Sequence, residues 1–215
     1  MQSPINSVPK AVVFDLGKVL VEFDYRIAAD KIAAQSDLGS VGVRNMLDHA
    51  PLLFRYETGL INREQFYREV CSGAGYRGTL EEFSAHFADI FWEIPPMIAL
   101  NDTLREHGVP TYIFSNTNGL AVNHIRNKFP FFSNFDGYVY SYQVGAMKPD
   151  LRIYEAMEKL CGKRGHDIVY IDDREENVAA GAARGWRTVC HESPEKTRVV
   201  LEKLLQFQPA VIGGV

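Results

Sequence analysis

Residues 11–20 read Ala11-Val12-Val13-Phe14-Asp15-Leu16-Gly17-Lys18-Val19-Leu20, and this stretch decides the fold. Val12, Val13 and Phe14 form an apolar run without alternation, the pattern of a parallel strand covered by helices on both faces. Gly17 supplies a turn just beyond it, so Asp15 falls at the strand's carboxyl end. Ligands bind along that edge in open α/β sheets, which makes Asp15 a candidate nucleophile or metal ligand.

Downstream of this strand the pattern turns helical. Residues 25–36, 40–50, 62–72 and 79–92 carry apolar residues at three and four spacings, among them Phe66, Val70, Phe83, Phe87, Ile90 and Phe91. Gly59 reads as a helix stop and Asn62 as the next N-cap. No strand-like alternation interrupts the block, so the sequence predicts a helical insert of about 70 residues, a size suited to a small accessory domain.

From Pro95-Pro96 onward strands and helices alternate. Helices are expected at 96–107, 118–129, 150–161, 174–184 and 194–206, and strands at Thr111–Phe114, Tyr138–Tyr140, Ile168–Ile171 and Arg187–Cys190. Such alternation predicts an α/β, doubly wound parallel sheet with the helical insert after its first strand. The expected division is a core of residues 1–22 and 93–215 with an insert of 23–92. The tail from Gln208 to Val215 is expected to be loose.

The 215 residues are 46% hydrophobic and 12% aromatic, enough for a full core, and the net charge of −4 leaves no basic stripe for nucleic acid. The amino end lacks the apolar centre of a secretory leader, and no stretch reaches membrane-spanning length. A cytoplasmic protein with no nucleic-acid or membrane partner is expected. Cys71, Cys161 and Cys190 are too few and too irregular for a disulfide framework or a zinc site, and are expected to be reduced thiols. The six histidines, at 49, 86, 107, 124, 166 and 191, show no ligand spacing.

Two later strands also end in polar residues that a buried strand does not need. Phe114 runs into Ser115-Asn116-Thr117-Asn118, and Ile171 into Asp172-Asp173. Each type is also an ordinary cap or turn residue. In a parallel sheet, however, these termini share one edge, so Asp15, Ser115, Asn116, Asp172 and Asp173 should converge. Three carboxylates at close range raise one another's pKa unless neutralised. A divalent cation with oxygen ligands does this, which favours magnesium. Lys148, in Gly145-Ala146-Met147-Lys148-Pro149-Asp150, is the second candidate counter-charge.

These four segments, Phe14-Asp15-Leu16-Gly17, Phe114-Ser115-Asn116, Lys148-Pro149-Asp150 and Ile171-Asp172-Asp173-Arg174-Glu175-Glu176-Asn177, resemble in order and spacing the four motifs of the haloacid dehalogenase-like (HAD) phosphohydrolases. The resemblance spans nearly the whole chain and implies a Rossmann-like core with a small helical C1 cap. It implies a Mg2+-dependent phosphatase acting on a small phosphate ester. It implies that Asp15 is the nucleophile and that Ser115, with the Asn116 backbone amide, binds phosphoryl oxygens. By the same resemblance Lys148 neutralises the nucleophile and phosphate. Metal ligands would be Asp15, the Gly17 carbonyl and Asp173, with Asp172 acting through water and Asn177 steadying its loop.

Position 17 departs from the family pattern, in which a second Asp protonates the leaving group. Glycine keeps the backbone carbonyl but not the acid, a loss worth about two to four orders of magnitude in rate. Three readings stay open: a substrate whose leaving group departs easily, a carboxylate elsewhere with Asp24 the nearest in sequence, or a phosphate-ester binder with little turnover. Asp15-Leu16-Gly17 with Ser115-Asn116-Thr117-Asn118 is similar to a bacterial subgroup that includes glucose-1-phosphate phosphatases, which points to a sugar phosphate. A metal-independent 2-haloacid dehalogenase fits less well, since the Asp172-Asp173 pair would burden its nucleophile. Phe23, Tyr25, Arg55 and Tyr56 are the candidate cap residues for substrate choice.

Overall fold

The computed structural model describes residues 8–48 and 51–205. The tail expected to be loose, and His49, lie outside them. In chain order the elements are β1 (Ala11–Phe14), β2 (Val21–Phe23), α1 (Tyr25–Ala33), α2 (Ser40–Asp48), α3 (Pro51–Glu57), α4 (Arg63–Ala74), α5 (Leu80–Ala88), β3 (Phe91–Glu93) and α6 (Pro95–Glu106). They continue with β4 (Thr111–Ser115), α7 (Gly119–Lys128), β5 (Gly137–Tyr140), α8 (Ser141–Val144), α9 (Leu151–Cys161), β6 (Ile168–Asp172), α10 (Glu175–Ala183), β7 (Arg187–Cys190) and α11 (Pro194–Leu205). No helix among the described residues is long and apolar enough to cross a membrane.

β1 lies at the centre of a parallel sheet of order β5-β4-β1-β6-β7. Strand residues alternate between faces, and each face has its own core. Val12, Phe14, Ile113, Val169 and Ile171 join a cluster on one side, while Val13, Phe114, Ile168 and Tyr170 join a cluster on the other. Both faces of the central strands are therefore dry, which is why β1 reads as a continuous apolar run. The strand order reverses between β4 and β6 on either side of β1, so the ligand-binding crevice of such a sheet opens at the end of β1.

α1 to α5 enclose a third hydrophobic cluster that includes Ile32, Leu47, Phe66, Val70, Phe83 and Phe87. Local sequence chemistry sets the ends of α4 and α5. Asn62 and Gln65 form a capping box at the start of α4, as do Thr79 and Glu82 at α5. Leu120, from α7 of the sheet layer, belongs to the insert's cluster and ties the two bodies together.

Two features depart from the sequence reading. The expected helix 79–92 stops at Ala88, and Phe91–Glu93 pairs antiparallel with Val21–Phe23 as a two-stranded ribbon leading into and out of the insert. Residues 51–57, which the sequence reading left between helices, form α3. Three-residue strands and a seven-residue helix are too short to show a period.

Candidate active site

Asp15 follows β1 directly, and its amide donates to the Ile171 carbonyl at 2.8 Å, which carries the β1–β6 ladder up to the carboxylate. The Leu16 amide donates to Asp15 Oδ1 at 2.7 Å, and Lys148 Nζ approaches the same oxygen at 3.0 Å. Neither interaction engages Oδ2.

Lys148 is buried at 5% exposure, and its ammonium has three neighbours for three protons. These are Asp15 Oδ1, Asp172 Oδ2 at 2.6 Å and the Phe114 carbonyl at 2.9 Å. The rings of Phe114 and Tyr170 flank it with centroids at 5.1 and 5.8 Å. Burial opposes the charge, but the two carboxylates outweigh it and hold the lysine above its ordinary pKa. Such a lysine acts as a fixed positive charge beside the Asp15 carboxylate, with its hydrogen bonds already committed.

The loop after β4 positions that lysine. Asn116 Nδ2 donates to the Lys148 carbonyl at 3.0 Å, and the Lys148 amide donates to Asn116 Oδ1 at 2.7 Å. The Asn116 side chain thus pairs with the lysine's backbone, a role the sequence does not reveal. Ser115 is buried beside it at the end of β4. The Thr117 amide donates to Ser141 Oγ at 2.9 Å, and Ser141 Oγ donates back to the Thr117 carbonyl at 3.0 Å, locking the loop to α8.

Asp172 and Asp173, adjacent in sequence, are held differently. Asp172 has no exposure and accepts from Lys148, the Tyr170 hydroxyl, the Arg174 amide at 2.9 Å and Asn177 Nδ2 at 3.0 and 3.2 Å. Despite burial, these donors keep its pKa below the ordinary value. Asp173 is half-buried, and burial and then Asp172 push its pKa up. Asp15 is pushed up by burial, against the pull of Lys148 and with Asp172 adding to the rise. One carboxylate oxygen from each of the three lies within 4.8 Å of the others. One lysine for three carboxylates leaves an excess of negative charge on hard oxygen donors, which suits a divalent cation such as magnesium.

A cleft of about 550 Å³ opens over this edge, within the range of small-molecule sites. Asp15, Gly17, Asn116, Lys148 and Asp173 lie on its sheet side. Leu53, Phe54 and Glu57 of α3, with Phe23 and Tyr25, line it from the insert. A narrower recess joins Glu57 and Gly17 to Ser115, Asn116 and Asn118. The structure therefore brings together Asp15, Gly17, Ser115, Asn116, Lys148, Asp172 and Asp173.

The candidates for substrate choice divide. Phe23 and Tyr25 line the cleft. Arg55 pairs instead with Glu69 at 2.9 Å, and Tyr56 is buried and stacked on Phe66 at 4.5 Å. Asp24 caps α1, accepting from the Arg26 amide at 2.8 Å and from its guanidinium, which holds the carboxyl down at about 2. It is absent from the cleft wall and too acidic to carry a proton near neutrality. The carboxylate that sequence reasoning missed is Glu57. It sits four residues after Leu53 on the same helix face and two before Gly59, a spacing legible once α3 is recognised.

The profile of the haloacid dehalogenase-like hydrolases matches residues 9–185. The chain belongs to this family. Among curated relatives, a sesquiterpene phosphatase of Aspergillus oryzae is 28% identical over 179 residues, covering 82% of this chain and 86% of the relative. A D-ribitol-5-phosphate phosphatase of Bacteroides thetaiotaomicron is 26% identical over 208 residues, covering 91% and 98%. Among solved structures, a HAD-like hydrolase of Porphyromonas gingivalis superposes with a TM-score of 0.80 at 25% identity, covering 94% of this chain and all of its own. A HAD family enzyme of Bacteroides thetaiotaomicron in complex with magnesium and inorganic phosphate gives 0.72 at 23% identity, covering 84% and 93%.

Proposed function

We propose that this HAD-like hydrolase is a magnesium-dependent phosphatase that hydrolyses a small phosphorylated metabolite through an aspartyl-phosphate intermediate. The observation that carries the reading is the Asp15–Lys148 pair at 3.0 Å, buried at the edge of a strand and facing a cleft with Asp173. With Oδ1 held by Leu16 and Lys148, Asp15 Oδ2 is the atom placed to attack phosphorus. Lys148 pulls the carboxyl towards its ionised form against burial and fixes its direction, and the Asn116 amide pair holds the lysine in place. Ser115 and the Asn116 backbone amide would meet the phosphoryl oxygens.

Asp15, Asp173 and the Gly17 carbonyl would hold magnesium, with Asp172 reaching it through water because its own oxygens already accept protein hydrogen bonds. The ion supplies neutralisation of phosphoryl charge, the main demand of this transfer. The phosphatase names of two curated relatives support the reaction class. Those relatives act on a sesquiterpenoid and on a sugar alcohol phosphate, and this cleft mixes the aromatic rings of Phe23, Tyr25 and Phe54 with polar Asn116 and Glu57. A sugar phosphate fits the polar half. Residues 23–92 would act as the cap that excludes water and selects the leaving group.

The test is release of inorganic phosphate from a panel of phosphorylated sugars, polyols and isoprenoids, with magnesium and with chelator. The expected result is metal-dependent turnover of at least one ester, abolished by Asp15→Asn in a protein that still melts cooperatively. Turnover retained by Asp15→Asn removes the nucleophile assignment. An absence of turnover on every ester by magnesium-loaded protein removes the phosphatase reading.

A further inference from the structure

The place of the missing acid is physically closed. A Cβ built on Gly17 would lie 2.9 Å from Phe23 Cε1, so a ring edge fills the space a side chain there would enter. If this protein cleaves esters of ordinary alcohols, the proton for the leaving group has to come from elsewhere. Among the described residues, the carboxyl groups lining the cleft are Asp15, Asp173 and Glu57. The first two belong to the nucleophile and metal edge.

We propose that Glu57 is the general acid that protonates the leaving-group oxygen, and the general base that then activates water, in place of the carboxyl group absent at Gly17. This rests on the phosphatase reading above. Glu57 descends from α3 of the insert while Asp15 rises from β1, so the two carboxyls enter the cleft from opposite layers. In-line displacement asks for this arrangement, with the attacking and leaving oxygens on opposite sides of phosphorus.

The support beneath Glu57 is built rather than incidental. Asn118 caps α7 by accepting the Ala121 amide on Oδ1 at 3.0 Å, which leaves its NH2 group as the donor for Glu57. Two residues after Glu57, Gly59 has φ +71, and a Cβ there would lie 2.3 Å from the Tyr142 carbonyl. Only glycine permits that approach, and it fixes the end of α3 against the sheet layer. Burial raises the Glu57 carboxyl to about 7, with the Asn118 hydrogen bond pulling the other way. The titratable and charged groups sharing its cleft are Asp15, Lys18, Tyr25, Lys148, Asp173 and Arg174. A general acid works best with a pKa near the operating pH.

The atoms balance over two steps. Asp15 Oδ2 bonds to phosphorus as the bond to the leaving oxygen breaks, and the Glu57 proton passes to that oxygen to give the alcohol. The Glu57 carboxylate then takes a proton from water as the water oxygen bonds to phosphorus and the bond to Asp15 breaks. Inorganic phosphate leaves, and both side chains return to their starting states.

The experiment compares Glu57→Gln with wild type, magnesium present, on two esters: the alkyl phosphate turned over best in the panel and p-nitrophenyl phosphate, whose phenolate departs without a proton. The expected loss of kcat/KM on the alkyl ester is about 10²–10⁴-fold, with a loss at least about tenfold smaller on the aryl ester. Wild-type kcat/KM for the alkyl ester should fall above pH about 7, where Glu57 loses its proton, and the aryl ester should lack that limb. The pH comparison needs no variant, so it decides even if Glu57→Gln folds poorly. Equal losses on both esters, or identical pH profiles for both, overturn the assignment while leaving the phosphatase reading intact. A wild type that hydrolyses aryl esters alone also overturns it. A wild type with no turnover of any ester overturns the phosphatase reading and this assignment together.

Discussion

Alanine at position 17 should destabilise the wild-type protein yet stabilise a Phe23→Ala variant. The added Cβ would meet Phe23 Cε1 at 2.9 Å and Cδ1 at 3.5 Å, and the ring cannot swing away freely. It packs edge-on to Tyr25 at 5.6 Å and against Phe91 at 5.9 Å, with Lys18 Nζ 4.8 Å from its centroid. Overpacking of this kind costs about 1–3 kcal/mol. Gly17 is not in the left-handed region, so alanine there also reduces unfolded-state entropy, worth about 0.4–1 kcal/mol of stability. The net expectation in wild type is a loss of up to about 2.5 kcal/mol, set by those two opposing effects. With the ring removed, only the favourable entropy is left. Urea melts of the four proteins in the cycle read this as a coupling of about 1–3 kcal/mol, taken from midpoints at constant slope. The same effect of Gly17→Ala in both backgrounds would refute the claim that Phe23 closes the slot.

Lys148→Met should lower stability by about 3–5 kcal/mol, because it strands two buried carboxylates. For a chain of this length that corresponds to about 2–4 °C per kcal/mol in calorimetry, and combining it with Asp172→Asn should recover part of the loss. Asp24→Asn should leave kcat/KM unchanged on every ester that wild type cleaves, in contrast to substitution of Glu57, because Asp24 serves the end of α1. Since its folded pKa is depressed to about 2, the stability Asp24 adds is present above the ordinary aspartate value and lost as pH falls towards 2. The melting-temperature gap between Asp24→Asn and wild type should therefore close on acidification.

The sheet was legible because its physics is local. Residues such as Val12, Val13 and Phe14 are dry on both faces and carry that fact in composition, and the polar strand ends stand out against it. Convergence of Asp15, Ser115, Asn116, Asp172 and Asp173 then followed from the rule that parallel strands share an edge, whereas Lys148, on the loop before α9, was legible only as a candidate counter-charge. The β2–β3 ribbon and α3 were not legible, since elements this short are held by tertiary contacts rather than by a repeating pattern. That Asp24 stands off the cleft wall has the same origin. Asp24 was chosen for nearness in sequence, whereas nearness in space depends on how α3 docks, and that is decided at Gly59 and Leu120. The Asn116 side chain was assigned no task because its partner is backbone 32 residues away.

The central place of β1 bears on how the chain is made. Its register partners are Thr111–Ile113 and Ile168–Ile171, so the ribosome emits the most apolar strand first and its nearest partner about 100 residues later. At about 5–20 residues per second that interval lasts several seconds or more. The five helices of the insert, α1 to α5, are made during the wait, rest largely on contacts with one another and can close early, drawing Val21–Phe23 and Phe91–Glu93 together through the ribbon. That closure shortens the effective loop between β1 and β4 before either has paired. An insert positioned to shape the cleft would thus also act during synthesis, as the folding unit that brings β1 to its sheet.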